Sequence, residues 1–435
     1  MEIGGEVDSG QENPSLVGRK VTGNAVPHNL TIEEGNYTMI KLPSENFRII
    51  KLQKDSTVNL GKFGSFNVNE ILGRPFGFTY EIIDDGKVRI VNNEFELDGS
   101  EENLEYSETN QLLNDDPASQ ALTMEEIEHF KSQGFTGQDL INKVKGSHAS
   151  FKNKTLYSQE KYVKRKQQKF LQRFTPEAIT SSELIDVYLD KDPAKIQGMS
   201  VESLGLVMSQ ANIRPGGTYL VVDDLCGIVV AACIERMAGQ GQIVVAHDTE
   251  HPNLDALRYM NYPDDVIEGV VTSINWLEFI HPQEVEPFRE RSQEELASIK
   301  ASYRGQYYRK KQKHENFERV RALIDGAKFE SLVVATSLNP ATLLPRLIPC
   351  VAGSSPIVIY NEYKENLVET THVLQSDLRV IAPTIVETRV RQYQTLPGRM
   401  HPHMTSRGGG GYILYGIRVF PSNVNAVSRG KKRKR

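Results

Sequence analysis

The chain has 435 residues, 39% of them hydrophobic and 25% charged, the balance of a globular chain long enough for two or three packed cores. Its three cysteines, Cys226, Cys233 and Cys350, are scattered and include no C-x-x-C pair, which speaks against a zinc site or disulfide framework and fits a reducing compartment. The polar Met1–Asn24 stretch does not resemble a signal peptide and no apolar run approaches bilayer length, so the expectation is a soluble intracellular protein.

The formal net charge of -5 is unevenly spread. Acidic residues crowd the stretch from Glu94 to Glu128, which holds no Lys or Arg, while basic residues cluster elsewhere. A negative total therefore leaves room for cationic surfaces able to hold phosphates.

In chain order, residues 1–30 read as disordered. Residues 31–91 carry short alternations of apolar and polar residues, such as Tyr37–Leu42, Phe47–Leu52 and Phe78–Ile82, punctuated by Gly61, Gly64, Gly73 and Gly77. Asp84-Asp85-Gly86 sits between two of these runs as a hairpin turn does, and the pattern predicts a small β-barrel. Residues 92–120 form an acidic linker with too few apolar residues for a core; it either regulates binding or merely connects domains. Residues 121–178 read as a basic helical linker. Thr123-Met124-Glu125-Glu126 offers a capping box, and a last helix is predicted from Ser158 to Arg173.

Residues 179–420 alternate strands and helices. Tyr219–Val222, Gln242–Ala246, Leu332–Ala335 and Ile357–Tyr360 are apolar runs of the buried parallel-sheet type, which predicts a doubly wound α/β domain. A charged, helical insertion is expected over 284–322, and a last strand over Tyr412–Val419 after the Gly408–Gly411 run. Residues 421–435 form a basic tail. Its Lys431–Arg435 cluster reads as a nuclear address or a phosphate-binding tail, and a nuclear protein is the expectation. The fold class is thus α/β plus β: a small N-terminal β-barrel, a helical linker and a C-terminal Rossmann-like domain without a functional cofactor site.

That last clause rests on the turn after the first α/β strand. An S-adenosylmethionine site needs an acid there, then glycines at alternate positions, because a Cβ would strike the ligand. Asp223-Asp224-Leu225-Cys226-Gly227-Ile228-Val229 keeps only Gly227, with Leu225 and Val229 in the other glycine positions, where their side chains are expected to fill the nucleoside's space. An ordinary strand–helix turn with no ligand history gives the same pattern. The second strand should end in an acid for the ribose; Asp248 meets that need only if the strand runs one residue past Ala246. The edge Thr336-Ser337-Leu338-Asn339 carries no carboxylate, and hydroxyls are poor bases without an activating partner. The sets His247, Asp248, His251 and His401, His403 have ligand-like spacing but lack a completing ligand, so no metal is expected.

Two basic runs point to RNA. Lys161, Lys164, Arg165, Lys166, Lys169 and Arg173 fall within 13 residues, with Tyr162 and Phe170 as apolar anchors of that helix. Arg304, Arg309, Lys310, Lys311 and Lys313 are interleaved with Tyr303, Tyr307 and Tyr308. Cations neutralise phosphates and aromatic rings pack on riboses or bases, whereas a solvated charged helix needs neither. Arg389, Arg391 and Arg399 add to the balance.

The C-terminal motifs carry a resemblance. Tyr363-Lys364-Glu365, Glu387-Thr388 with Arg391-Gln392-Tyr393-Gln394, Leu396-Pro397-Gly398-Arg399 with His401-Pro402, and Gly408–Tyr412 closely resemble the non-catalytic subunit of the eukaryotic tRNA (adenine-N1)-methyltransferase acting at position 58. Asn212-Ile213-Arg214-Pro215-Gly216, Glu235-Arg236-Met237, and Asp192-Pro193 with Lys195-Ile196 extend it over nearly the whole chain from Tyr37 to Val419.

The resemblance implies no catalytic residue and no cofactor in this chain. It also implies a heterotetramer of two such chains with two catalytic chains that bind S-adenosylmethionine, with tRNA lying across the subunit interface. The implied tRNA-binding residues begin with Asn114, Ser119 and Gln120 leaving the barrel, then Lys161, Tyr162, Lys164, Arg165, Lys166 and Lys169 on the linker helix. Lys191, Lys195, Arg309, Ser337, Arg379, Gln394, Pro397, Arg399 and His401 complete the set. Ser337 stands where the family favours a basic residue, and the insertion bearing Arg309 varies in length and sequence. The rival reading is a catalytically active RNA methyltransferase that binds its own donor through a degenerate loop.

Overall fold

A computed structural model describes residues 31–83, 86–91, 137–148, 154–298, 300–396 and 399–420, with single positions 126, 129, 130, 133, 135 and 151 between them. The Asp84-Asp85 turn, the acidic linker, the Thr123 capping box and the basic tail lie outside the described residues.

The N-terminal strands are β1 (Tyr37–Lys41), β2 (Phe47–Lys51), β3 (Thr57–Asn59), β4 (Ser65–Asn67), β5 (Thr79–Ile82) and β6 (Val88–Val91). They do not complete their own sheet. The central strand is β7 (Arg173–Glu177), supplied after the linker helix, and the antiparallel order is β2-β1-β7-β5-β6. β3 and β4 form a separate hairpin, and no pairing among the described residues closes these strands into the expected barrel. Residues 173–177, assigned above to the helical linker, therefore belong to this sheet. Phe174 drives the pairing: it is fully buried, stacks on Phe66 at 4.1 Å and lies 5.6 Å from Tyr80. Pro176 cannot donate to a ladder, but its carbonyl accepts from Gly77 N at 2.8 Å.

The linker helix runs over Leu156–Phe170, ending three residues earlier than expected because Arg173 starts β7. Thr155 caps it, its Oγ1 accepting from Ser158 N. It packs against the helix Gly137–Gly146 through Ile141, Val144, Phe170 and Leu171.

The second region holds β8 (Thr218–Asp223), β9 (Gln242–His247), β10 (Val271–Asn275), β11 (Ser331–Ala335), β12 (Pro356–Asn361), β13 (Val380–Glu387), β14 (Tyr393–Leu396), β15 (Arg399–Pro402) and β16 (Tyr412–Arg418). The main sheet has the order β10-β9-β8-β11-β12-β16-β13, parallel except for β16, which pairs antiparallel with both neighbours. β14 and β15 form a two-stranded ribbon of their own. Each central strand feeds two cores, since successive residues alternate faces. Tyr219 and Val221 enter the core that holds the helix Ile228–Met237, and Leu220 and Val222 enter the one that holds the end of the helix Ala301–Asp325. Burial on both faces is why these strands read as unbroken apolar runs. The expected insertion holds a short helix, Gln293–Ser298, and that 25-residue helix, whose Val320 and Ile324 are core while its first half is solvent-exposed except for Tyr307 and the half-buried Lys311. The strand order reverses between β8 and β11, so the crevice where such sheets bind ligands lies at Asp223, Asp224 and Thr336.

Candidate cofactor loop and RNA-facing surface

At the switch point the loop after β8 spends its polar groups on itself. Asp223 is buried, and its two carboxylate oxygens accept from Leu225 N at 2.8 Å and Val230 N at 3.0 Å. Burial pushes this carboxyl up to about 6, with the backbone N–H groups only partly offsetting it. Asp224 accepts from the Thr336 hydroxyl and from Ser337 N, which ties the ends of β8 and β11 together.

Leu225 and Val229 are fully buried, but they point into the core rather than into the crevice. The expectation that they plug the donor's space is corrected: the chain after β9 does so. Gly227 is left-handed (φ 80°), and a Cβ on it would sit 2.7 Å from Leu254 Cα. Ala256 N donates to Cys226 O at 2.9 Å, holding that segment down on the loop. Here the Leu254 backbone occupies the volume that alternate glycines would open for a nucleoside, so these residues do not fit a methyl donor.

β9 does extend to His247, and Asp248 follows it as an exposed residue just outside the strand. His247 Nδ1 lies 2.9 Å from Thr249 O, and burial lowers its pKa. Among the described residues no group of three or more His, Cys, Asp or Glu is arranged to hold a metal, and the three cysteines are free and buried.

The residues proposed for RNA fall into distinct settings. On the linker helix Lys161, Lys164, Arg165 and Lys169 are exposed, and Lys164 pairs with Glu45 at 2.7 Å. Lys166 is half-buried, and its pKa is lowered by burial and by Lys169. Tyr162 turns inward, edge-on to His148 and Phe151, and its buried hydroxyl has no hydrogen-bond partner among the described residues. That places Tyr162 in the helix-pair packing, away from the exposed cations. Lys191 and Lys195 come together on the rim of one cavity. Arg309 is exposed on the insertion helix, and Ser337 is exposed at the β11 edge.

Arg379 is engaged by Asp377 through Nε and Nη2 at 2.7 to 3.1 Å. Gln394 pairs across the β14–β15 ribbon with His401, an exposed residue whose Nδ1 is 2.9 Å from Pro402 O. Asn114, Ser119, Gln120 and Pro397 lie outside the described residues, as does the side chain of Arg399.

Two arginines went unnoticed in the sequence. Arg258 donates to the Tyr37 hydroxyl at 3.1 Å, joining the α/β region to β1 across 221 positions. Arg407 bridges Asp186 and Asp190, one turn apart on the helix Ser181–Lys191. It stands just before Gly410, whose carbonyl accepts from Ser203 Oγ at 2.7 Å. No local sequence signal marks either arginine, because the partners are remote.

Sheet order and loop together define a doubly wound α/β chain whose turn at the switch point is packed from within. Residues 31–302 match the Gcd10p family model, and the chain belongs to that family. It is 45% identical over 422 residues to the tRNA (adenine(58)-N(1))-methyltransferase non-catalytic subunit TRM6 of Debaryomyces hansenii, covering 92% of this chain and 89% of that one. The proteins of the same name from Candida glabrata and Schizosaccharomyces pombe are 38% and 34% identical, over 93% and 94% of this chain and 98% and 96% of theirs. The resemblance read from the C-terminal motifs therefore extends along the chain.

Proposed function

We propose that this chain is the non-catalytic, tRNA-binding subunit of a tRNA (adenine-58-N1)-methyltransferase, supporting N1-methylation of the T-loop adenosine by a catalytic partner. The partner binds S-adenosylmethionine, and two chains of each kind assemble into a heterotetramer. One contrast carries the reading: Leu254 fills the space above Gly227, while the linker helix presents Lys161, Lys164, Arg165 and Lys169 to solvent. The target base lies in the folded elbow of tRNA and must leave its tertiary contacts before reaction. A second α/β body without chemistry supplies surface for holding the tRNA while the partner acts.

Support for a partner comes from large exposed apolar side chains along 378–404, among them Leu378, Val390, Met400 and Met404, on or beside the edge strand β13 and the β14–β15 ribbon. Monomeric surfaces rarely concentrate such groups. The Lys431–Arg435 tail supports a nuclear location; deleting it should shift a fluorescent fusion toward the cytoplasm, and unchanged nuclear signal removes that assignment.

The main test is titration of the purified chain with S-adenosylmethionine by calorimetry, beside tRNA binding of a Lys164→Ala/Arg165→Ala/Lys166→Ala variant across a salt series. The expected outcome is no saturable donor binding, with weaker tRNA binding and a flatter salt dependence in the variant. Donor binding together with methylation by the chain alone establishes the rival enzyme reading. Unchanged affinity of the variant at every salt concentration removes the helix from the RNA surface.

A further inference from the structure

Where the N-terminal sheet meets the α/β region there is a cavity of about 420 Å³. Its floor is Leu184 and Val187, both buried on the helix Ser181–Lys191. Tyr37 from β1, Tyr188 and Tyr259 form half-buried aromatic walls. Lys191, Lys195 and Arg258 stand exposed in its lining, against a single lining carboxylate, Asp192. Among the described residues none of these three cations makes an ion pair. None of residues 223–229 lines the cavity, but Cys226 Sγ donates to Lys195 O at 3.7 Å, so it lies beside the filled donor loop rather than within it.

We propose that this cavity binds one unpaired nucleotide, its base against the tyrosine walls and its phosphate on Lys191, Lys195 and Arg258. Its volume lies in the lower part of the range for small-ligand pockets, roughly 300–1,000 Å³, which admits a single nucleotide and excludes a duplex. Tyrosine faces accept any base by stacking, and adjacent cations supply the phosphate's counter-charge. The walls come from two regions clamped together: Tyr37 N donates to Asn261 Oδ1 at 2.7 Å, and Asn261 Nδ2 donates back to Tyr37 O at 2.8 Å. The cleft is thus shaped before any ligand arrives, which lowers the ordering cost of binding. The nucleotide belongs either to bound RNA, a case that rests on the tRNA-binding reading above, or to the free pool.

The test uses the full chain with two paired variants: Lys195→Gln/Arg258→Gln, which removes both charges, and Lys195→Arg/Arg258→Lys, which keeps them. Labelled tRNA is titrated by anisotropy over a salt series, AMP by calorimetry, and all proteins are melted. For an RNA-borne nucleotide, the Gln pair should weaken tRNA binding about tenfold and lower the salt slope by about 1.5, with the charge-keeping pair within about twofold of the parent. For a free nucleotide, AMP should saturate the parent and fail on the Gln pair, with tRNA affinity unmoved. The proposal is overturned if neither ligand distinguishes the Gln pair from the parent. It is equally overturned if both pairs lose binding alike with matching drops in melting temperature, since the cations would then only brace the domain junction. Failure of the parent to bind tRNA sinks the tRNA-binding reading instead; in that case absent AMP binding also sinks the cavity, and AMP binding that the Gln pair loses keeps it.

Discussion

The loop after β8 and the linker helix put polar groups to opposite uses. In the loop, the Asp223 carboxylate accepts from two backbone N–H groups, Asp224 is tied to Thr336 and Ser337, and Leu254 lies over Gly227. On the helix, Lys161, Lys164, Arg165 and Lys169 are held in water. A region whose hydrogen-bonding capacity is consumed internally contributes to stability; a region that keeps its charge at the surface can present it to a partner. Substitutions should therefore separate the two: in the loop they change stability, and on the helix they change RNA affinity.

The largest effect tests the loop. Restoring a glycine with Leu225→Gly removes a fully buried side chain from the core and loosens the backbone, and should cost about 4 kcal/mol in urea unfolding. The variant should still fail to bind S-adenosylmethionine, because Leu254 continues to cover Gly227. A variant that gained donor binding at little cost in stability would mean that Leu225 itself blocks the site, and the distinction between the two regions would lose its basis.

The next effect is a pH dependence. Asp223 titrates near 6 in the folded chain against 3.8 for an ordinary carboxyl, so folding favours its protonated form. The stability it contributes is complete below pH 3.8 and is lost as pH rises through 6. The full swing is about 3 kcal/mol. Asp223→Asn stays neutral and loses a backbone acceptor at every pH, a constant penalty. Its stability relative to the parent should thus improve by up to about 3 kcal/mol between pH 4 and 7, read from urea midpoints at stepped pH. Parallel curves for the two proteins would show that burial of this carboxylate is already relieved in solution.

What the sequence made legible follows the same division. The α/β strands were readable because burial on both faces leaves unbroken apolar runs, as in Leu332–Ala335. β7 was not: its place between β1 and β5 depends on pairing across the whole linker, and Pro176 masks a strand pattern whose main signal is Phe174. The loss of alternate glycines was visible at Leu225 and Val229, but the segment that fills the space comes from beyond β9 and has no motif. Tyr162 reads as an apolar anchor of its helix, and only the resemblance implies an RNA contact there; its packing on His148 and Phe151 is set by tertiary structure alone. Arg258 was invisible for the same reason, since its meaning comes from Tyr37.

The smallest effect bears on the helix. Lys164 and Glu45 form an ion pair at 2.7 Å, yet their side chains are 58% and 64% exposed. Pairs so wet contribute little to folding, so Glu45→Gln and Lys164→Gln should each shift stability by under about 0.5 kcal/mol. Their effects on RNA should have opposite signs. Glu45→Gln removes the carboxylate that competes with phosphate for Lys164 and should tighten tRNA binding up to about twofold at low salt, whereas Lys164→Gln should weaken it and lower the salt slope by roughly 0.7 to 0.9. Anisotropy titrations at three salt concentrations suffice to read both. If the two variants move affinity in the same direction, the ammonium group at Lys164 serves the junction with the N-terminal sheet, and the helix would then resemble the loop rather than oppose it.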